Sequence, residues 1–327
     1  QSRSSAASDV YKRQVQASCS IGAASFAASR TDSGGHDVLR RAGVALHQAK
    51  QAGLGQVVIF QPDMAEAVGK RFRIEKDLRR AIPAGELQPY LQSQVDHMGR
   101  CVGAEVLVRW NHPRLGMVEP GDFIPVAEES DLIVQLGDWM LEQACRMLVR
   151  PEFVQQGWRL SVNVSWRQFR QPDVVDKLKR TLAATGADPR RLTLEVTESV
   201  VMRDVDEARE RMAELQLLGV EMGLDDFGTG YSSLAYLQRL PFRELKIDKS
   251  FVQDCHTSPG NAAMVEAILL LARRLRLRVV AEGVETEEQA GTLRAWNQDV
   301  LFQGYHYGRP LPAVEWVDLQ LGAPAGV

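Results

Sequence analysis

The sequence predicts an α/β fold built mainly as a TIM-like (β/α)8 barrel, with an antiparallel first strand pair and a small α/β remnant at the N-terminus. From Leu87 onward, short apolar runs alternate with amphipathic helical stretches. Such alternation is typical of a parallel sheet covered by helices. About eight runs within ~240 residues suit a closed barrel. The chain has 327 residues, enough for one barrel and a smaller unit.

Four segments are predicted along the chain. Residues 1–14 show no helical or strand period and are interpreted as an unstructured or non-native segment. Residues 15–61 form a small α/β unit, 62–83 a linker helix, and 84–320 the barrel domain. The first residue is Gln rather than Met, so the chain is expected to be a fragment.

The small unit reads as a strand from Val15 to Gly22, a helix with apolar residues recurring between Val38 and Ala49, and a strand at Val57–Phe60. Gly53 and Gly55 follow the helix, where glycine is a common stop. Because two strands and one helix bury little core by themselves, this unit is interpreted as the end of a larger domain.

The barrel elements follow in order. The predicted strands are Leu87–Val95, Val102–Trp110, Leu160–Val164, Leu192–Val196, Val220–Leu224, Glu244–Ile247, Arg278–Ala281 and Val300–Phe302. Predicted helices between them include Trp139–Leu148, Val174–Thr185, Val205–Leu218 and Ala262–Leu275. Only Asp96–Arg100 separate the first two strands, which is too short for a crossover helix, so this pair should be antiparallel.

Composition excludes several classes of partner. The formal net charge is -3, which favours neither nucleic-acid polymers nor anionic membranes. The chain lacks any apolar run of the ~18 residues that a membrane-spanning helix needs, so no membrane contact is expected within it. The four cysteines are scattered without metal-type spacing, which predicts reduced thiols in a cytoplasmic protein.

Asp225 and Asp226 stand side by side after the apolar stretch Leu217–Leu224. Adjacent carboxylates repel each other, so they need cationic compensation, which two divalent ions sharing one aspartate would provide. The alternative is that either aspartate only caps the next segment, and the doublet with Gly228 and Gly230 would by itself favour that reading.

Other polar side chains at or near strand ends favour the metal site over the capping role. A barrel gathers the carboxyl ends of its strands on one face, where a site is expected. A buried carboxylate costs several kcal/mol unless it is paired or metal-bound, so acids at five strand ends are hard to explain as packing. The candidate set is Glu105, Arg109, Asn163, Glu195, Glu198, Asp225, Asp226, Lys246, Asp248, Glu282, Glu285 and Gln303.

These side chains predict a hard metal and a phosphate ester. Carboxylate and amide oxygens suit Mg²⁺ or Mn²⁺ better than Zn²⁺, and the six histidines show no metal-binding pattern. Lys246 should stay protonated beside the acids and position the nucleophile or balance phosphate charge. Phosphodiester hydrolysis at two metals follows from such a set. His112, in Asn-His-Pro, is interpreted as a turn residue.

At these residues the chain resembles the EAL domain, the cyclic di-GMP phosphodiesterase family, over Ala84 to Ala313. The motifs that carry the resemblance are Glu105-Val106-Leu107 (with Val in place of Ala), Pro120-Gly121-Asp122-Phe123-Ile124-Pro125, Ser161-Val162-Asn163-Val164-Ser165, Leu194-Glu195-Val196-Thr197-Glu198, Asp225-Asp226-Phe227-Gly228-Thr229-Gly230, Leu245-Lys246-Ile247-Asp248 and Ala281-Glu282-Gly283-Val284-Glu285. It implies ligands for two divalent cations, with Glu105, Asn163, Glu195 and Asp225 on one, and Asp225, Asp226 and Glu282 on the second.

The resemblance also implies roles for the remaining candidates. Lys246 and Glu282 would orient or activate the attacking water. Glu198 would anchor the loop Gly228–Ser233, and Glu285 is grouped with the catalytic residues. Substrate contacts are implied for Gln92, Arg109, Asp248 and Gln303.

The unit before the barrel resembles the C-terminal end of a GGDEF (diguanylate cyclase) domain in degenerate form. The helix Arg40–Lys50 follows that pattern, with Gly43 where the family usually has Asp and His47 where it has Tyr. The signature itself lies outside the chain, so no cyclase activity is expected.

Two departures from the EAL pattern lie near the site. Ser93 stands where the family commonly has Pro. The segment Asn297–Phe302 before Gln303 is altered, with its Asp displaced by one position.

The leading interpretation is hydrolysis of cyclic di-GMP to linear 5'-pGpG, which lowers second-messenger levels, because every implied ligand is present. The alternatives are a catalytically silent cyclic di-GMP receptor and a dimerising scaffold. A homodimer is expected, since the Gly228–Ser233 loop links the metals to a dimer interface in relatives.

Overall fold

A computed structural model describes residues 18–25, 35–51, 53, 55–198, 204–228 and 234–322. The segment predicted as unstructured, 1–14, lies outside these residues. The chain divides into two compact units, Gln1–Lys76 and Asp77–Val327.

The first unit contains a β-α-β arrangement. Strand β1 (Ile21–Ala23), helix α1 (Gly35–Gln51) and strand β2 (Val57–Ile59) follow one another, and the two strands pair in parallel. A Cβ on Gly22 would lie 2.1 Å from the backbone nitrogen of Leu46, so glycine is needed for α1 to approach β1 this closely. Helix α2 (Pro62–Ala84) comes next, and its role as a linker stays a prediction.

The second unit contains the remaining elements. Its strands are β3 (Leu87–Val95), β4 (Cys101–His112), β5 (Gly116–Val118), β6 (Arg159–Asn163), β7 (Leu192–Thr197), β8 (Glu221–Phe227), β9 (Glu244–Ile247), β10 (Arg278–Ala281), β11 (Leu301–Phe302) and β12 (Leu311–Pro312). Its helices are α3 (Pro120–Glu128), α4 (Leu132–Leu148), α5 (Pro151–Gln156), α6 (Trp166–Phe169), α7 (Val174–Thr185), α8 (Val205–Leu217), α9 (Leu234–Arg239), α10 (Lys249–Val252), α11 (Pro259–Leu275), α12 (Glu287–Trp296) and α13 (Ala313–Gly322).

Eight strands of the described chain close the barrel in the order β3-β4-β6-β7-β8-β9-β10-β11, and β11 returns to β3. Strand β3 is antiparallel to both neighbours, and the other pairs are parallel. The predicted TIM-like barrel with an antiparallel first pair is therefore confirmed. The connection between β3 and β4 is a tight turn closed by the Asp96 amide, which donates to the Arg100 carbonyl at 2.9 Å.

Strand β4 is longer than predicted, and this changes the position of Glu105 within it. Its pairing with β6 ends at Val106, while residues as far as His112 continue as a ladder with β3 and β5. Glu105 therefore lies near the end of the part of β4 that belongs to the barrel wall, not at the end of the strand.

The apolar side chains of the strands and the inner faces of the helices form the core. Helix α4, for example, buries Leu136, Met140, Ala144 and Leu148 at helical spacing. No helix in the described ranges combines the length and apolarity that crossing a membrane would require.

Candidate active site

Lys246, on β9, lies at the centre of the polar residues inside the barrel. Its side chain is 1% exposed. Four carboxylates surround its Nζ, at 2.7 Å from Glu282 Oε1, 2.9 Å from Glu195 Oε2, 3.1 Å from Glu105 Oε2 and 3.5 Å from Asp225 Oδ1. Burial by itself lowers the pKa of Lys246, but the carboxylates outweigh it and hold that pKa well above its usual value. The lysine is therefore charged.

Asp225, Asp226 and Glu282 form a group that could hold a metal ion, because one carboxylate oxygen from each lies within 4.8 Å of the others. Neighbouring residues of a regular strand point to opposite faces, so the two aspartates need a local distortion to meet. Strand β8 supplies it with an extra residue relative to β9, between the pairs Leu224–Leu245 and Phe227–Ile247. Asp226 is also in the left-handed region, with φ 55°.

Glu105 is held by two amide donors, one at the end of β6 and one directly after β11. Asn163 Nδ2 donates to Glu105 Oε1 at 2.5 Å, and Gln303 Nε2 donates to Glu105 Oε2 at 2.6 Å. Burial by itself raises the pKa of Glu105, but Lys246 and the two amides outweigh it, so that pKa is lowered. Glu105 is therefore ionised and held in a fixed position.

The other carboxylates of the cluster show the cost of gathering acids in a buried place. Burial first, and then neighbouring acids, raise the pKa of Glu195 well above its usual value and raise those of Asp225 and Asp226. The same causes raise the pKa of Glu282 to about 8. A single ammonium group therefore compensates this cluster only in part.

These residues fit divalent cations. Glu195 Oε1 is buried and has no hydrogen-bond partner among the described residues, so it is free to coordinate an ion. The cluster contains five carboxylates and one lysine, and divalent cations would stabilise the charge that the lysine leaves uncompensated. Oxygen donors of this kind suit hard ions such as Mg²⁺ or Mn²⁺.

A cavity of about 700 Å³ opens beside the cluster. Its walls include Asn163 and Glu195 from the cluster, and Arg109, Ile124, Met140 and Trp166 from the surrounding elements. Arg109 is half-buried on β4, with its guanidinium over the ring of Tyr90 at 5.4 Å. The cavity thus combines apolar walls with two arginines, Arg109 and Arg167, which suits an anionic ligand that carries rings.

The remaining predicted residues lie in different surroundings. Asp248 caps α10, accepting from the Ser250 amide at 3.0 Å. Glu285 is exposed, and its backbone amide donates to Gln289 Oε1 at 2.6 Å. Glu198 is half-buried directly after β7. Its predicted partner, the loop Gly228–Ser233, falls mostly outside the described residues, so that role stays a prediction.

The altered segment before Gln303 leaves this glutamine inside the barrel. Gln303 is 4% exposed and reaches Glu105, as described above. Asn297 Oδ1 accepts from the Asp299 amide at 2.9 Å and shapes the turn that leads into β11. His112 also organises a turn, since its Nδ1 accepts from the Arg114 amide at 3.1 Å.

The sequence analysis missed two groups of polar residues. Gln94 is buried two residues after Gln92 and touches Gln303, and the strand period of two would have placed both glutamines on one face. Charged residues from four strands also meet one another, namely Arg159, Glu221, Glu244 and Arg278. Each is the first residue of its strand. This shared position could have been used to predict that their side chains lie close together.

Comparison with known proteins identifies the family. The profile described as "EAL domain" matches residues 75–310. MucR of Pseudomonas aeruginosa, named a bifunctional diguanylate cyclase/cyclic di-GMP phosphodiesterase, is 39% identical over 306 residues, which cover 93% of this chain and 44% of MucR. NbdA of the same organism, named a cyclic di-GMP phosphodiesterase, is 38% identical over 278 residues, covering 84% and 35% respectively. The chain thus spans less than half the length of these relatives.

Solved structures agree with this assignment. The MucR phosphodiesterase in complex with cyclic di-GMP superposes with a TM-score of 0.70 and 42% identity, covering 75% of this chain and 99% of that one. The EAL enzyme Bd1971, in its cAMP- and cyclic-di-GMP-bound form, gives a TM-score of 0.74 at 27% identity, covering 89% and 77%. This chain belongs to the EAL domain family.

Proposed function

We propose that this protein hydrolyses cyclic di-GMP to linear 5'-pGpG with the help of two divalent cations, and so lowers the level of this second messenger. The observation that carries the proposal is the cluster around Lys246. Carboxylates from four strands or strand ends meet there next to a cavity large enough for a dinucleotide.

Mg²⁺ or Mn²⁺ would be held by the oxygen ligands already assembled. One cation would use Glu105, Asn163, Glu195 and Asp225, and the second Asp225, Asp226 and Glu282. Bound there, the cations would lower the pKa of water and neutralise charge on the phosphate.

The protein's own side chains would position the reactants. Four carboxylates hold Lys246 Nζ in place beside the proposed cation ligands. From this position Nζ would donate a hydrogen bond to the attacking water and orient it. Glu282 is the least buried of these four partners and could accept a proton from that water. Arg109 would meet a phosphate in the cavity.

The relatives support this choice of substrate. MucR and NbdA both carry cyclic di-GMP phosphodiesterase in their names, and the MucR phosphodiesterase has been solved with cyclic di-GMP bound.

A hydrolysis assay tests the proposal. Purified protein is incubated with cyclic di-GMP and Mg²⁺ or Mn²⁺, and linear 5'-pGpG is followed by chromatography. We expect product with either ion, none in EDTA, and loss of at least ~100-fold in Glu105→Gln, because a neutral amide replaces a cation ligand. Glu266→Gln, a matched change on the exposed face of α11, should keep full activity. Binding of cyclic di-GMP by the wild type without turnover would instead establish a receptor.

We further propose a cytoplasmic homodimer. The proposal rests on the resemblance of the Gly228–Ser233 loop to the dimer-linked loop of relatives, and the buried free thiols of Cys145 and Cys255 are consistent with a reducing compartment. Light scattering run beside the hydrolysis assay tests it, since full turnover by a strict monomer would contradict a dimer-dependent site.

We also propose that residues 15–61 are the C-terminal part of a degenerate GGDEF domain. The alignment with MucR, a protein named as bifunctional, extends over 306 residues, well beyond the EAL match at 75–310. Absence of any linear or cyclic dinucleotide product from GTP is the expected result for this chain.

A further inference from the structure

Three glutamines form a buried amide chain beside the cation ligands. Gln92 and Gln94 lie on β3, and Gln303 follows β11. Their side chains are almost fully buried, at 9%, 4% and 4% exposure. Gln92 pairs across the ladder with Glu105, and Gln94 lies opposite Gly103, which has no side chain to fill the space. Alternation along β3 puts both glutamines on the inner face.

The hydrogen bonds from Gln94 through Gln303 run towards Glu105, and a branch from Gln303 through Gln92 runs away from it. Gln94 Nε2 donates to Gln303 Oε1 at 3.1 Å. Gln303 Nε2 donates to Glu105 Oε2 at 2.6 Å and to Gln92 Oε1 at 3.2 Å. Gln92 Nε2 in turn donates to the Gly308 carbonyl at 3.3 Å.

This direction is set by chemistry at the Glu105 end. A carboxylate only accepts hydrogen bonds, so Gln303 must present its NH₂ group to Glu105. Its oxygen then faces away and needs a donor, which Gln94 provides. If the Gln303 amide were reversed, its oxygen would meet the carboxylate oxygen and repel it. Gln94 thus favours the only amide orientation that supports Glu105.

We propose that Gln94 is a positioning residue, which fixes the Gln303 amide so that Glu105 is held in place to bind a divalent cation. The inference rests on the proposed function only in taking Glu105 as a cation ligand. Hydrogen bonds to metal ligands from a surrounding shell commonly change metal affinity by about 10- to 100-fold when they are removed. Gln94 is not among the residues named as lining the cavity, and its side-chain amide donates to Gln303, so we place its effect on Glu105 through Gln303.

The test measures Mn²⁺ binding by calorimetry on the whole chain, without substrate. Gln94→Met keeps the volume of the side chain and removes the donor, and it should weaken Mn²⁺ binding ~10- to 100-fold. Gln88→Met changes an exposed glutamine of the same strand and should leave Mn²⁺ binding unchanged. Circular dichroism confirms that each variant is folded, so a purely structural role of Gln94 would leave affinity unaltered and overturn the proposal.

Two further variants sharpen the result. In Gln94→Glu the shape is kept but the new carboxylate attracts the Gln303 NH₂ group away from Glu105, so affinity should also fall at least ~10-fold. This variant decides the question if Gln94→Met does not fold. Gln303→Met and the double variant Gln94→Met/Gln303→Met should bind Mn²⁺ equally, because Gln94 acts through Gln303. Additive losses would overturn the proposal.

Hydrolysis is measured separately in the same preparations. A wild-type protein that binds Mn²⁺ in a Gln94-dependent way but cleaves no cyclic di-GMP would contradict the proposed function and leave this inference standing.

Discussion

Lys246 stabilises the carboxylates of the acidic cluster by compensating their negative charge. It compensates three buried carboxylates and the half-buried Glu282, which come from four different strands or strand ends. The positive charge of Lys246 stabilises the same carboxylates that a bound divalent metal ion would stabilise. The lysine and the metal ion should therefore replace each other in part.

The variant Lys246→Met tests this relation. In EDTA its free energy of unfolding should fall by about 3–5 kcal/mol, because removing one partner of a buried ion pair leaves uncompensated charge. Mg²⁺ should recover part of the loss, since it neutralises the same carboxylates. Urea denaturation with and without Mg²⁺ measures both quantities, and equal losses in the two conditions would contradict the argument.

Asp226 combines a carboxylate proposed to bind a cation with an unusual backbone conformation, and substitutions can separate the two. Asp226→Asn should keep the fold, since asparagine tolerates the left-handed region, while hydrolysis falls by at least ~100-fold through loss of an anionic ligand. Asp226→Val should cost about 1–2 kcal/mol of stability in addition, because a β-branched side chain is strained at φ 55°. Thermal unfolding of both variants in EDTA gives the comparison, and equal stability would show that the backbone conformation is not retained.

At the scale of elements, the two faces of strand β3 make different sets of hydrogen bonds. Its inner face carries the amide chain described above. On its outer face, Ser93 Oγ accepts from Trp316 Nε1 at 2.9 Å and from Gln320 Nε2 at 3.2 Å, and so binds β3 to α13. The residue that departs from the usual proline therefore has a structural partner in this chain.

Ser93→Ala should lower stability and leave catalysis intact. The buried Trp316 indole would lose its acceptor, which costs about 1–3 kcal/mol. The rate of cyclic di-GMP hydrolysis per folded molecule should stay at the wild-type value, because Ser93 faces away from the carboxylates. Urea denaturation and the hydrolysis assay, run on one preparation, check both statements, and a stable but inactive variant would contradict them.

At the scale of the whole molecule, the barrel is tied together at the amino ends of its strands by an ion network. Arg278 Nε donates to Glu244 Oε2 at 2.6 Å, and Arg278 Nη2 to Glu221 Oε2 at 2.8 Å, while Arg159 also pairs with Glu221. The network joins β6, β8, β9 and β10 at the end opposite to the carboxylates around Lys246.

This network predicts a pH dependence of stability. Burial by itself raises the pKa of Glu221, but Arg278 and Arg159 outweigh it and lower that pKa below its usual value. A lowered pKa in the folded state means that the stabilisation is complete above the unfolded value of about 4.3 and is lost as pH falls through the folded value. Glu221→Gln should therefore be less stable than wild type at neutral pH, and the difference should shrink in acid. Unfolding free energies measured between pH 3 and 7 test this, and a constant difference would contradict it.

The sequence alone determined most of the barrel. Strands β3, β9 and β10 were predicted with the bounds that they have, because apolar runs and their turn residues are local signals. The short connection Asp96–Arg100 was enough to predict an antiparallel first pair. Residue types also determined that oxygen donors gather at one rim, since parallel strands end on the same side.

Only the tertiary structure decided which of these groups meet. The extra residue in β8 and the left-handed Asp226 bring neighbouring aspartates to one cluster, against the alternation that a strand pattern predicts. Closure of β11 onto β3 places Gln303 between Gln94 and Glu105, residues about 200 positions away in the chain. Glu285 is exposed although its motif groups it with Glu282. Local periodicity encodes the face on which a side chain lies, whereas contacts across a barrel depend on the register of strands that are distant in sequence.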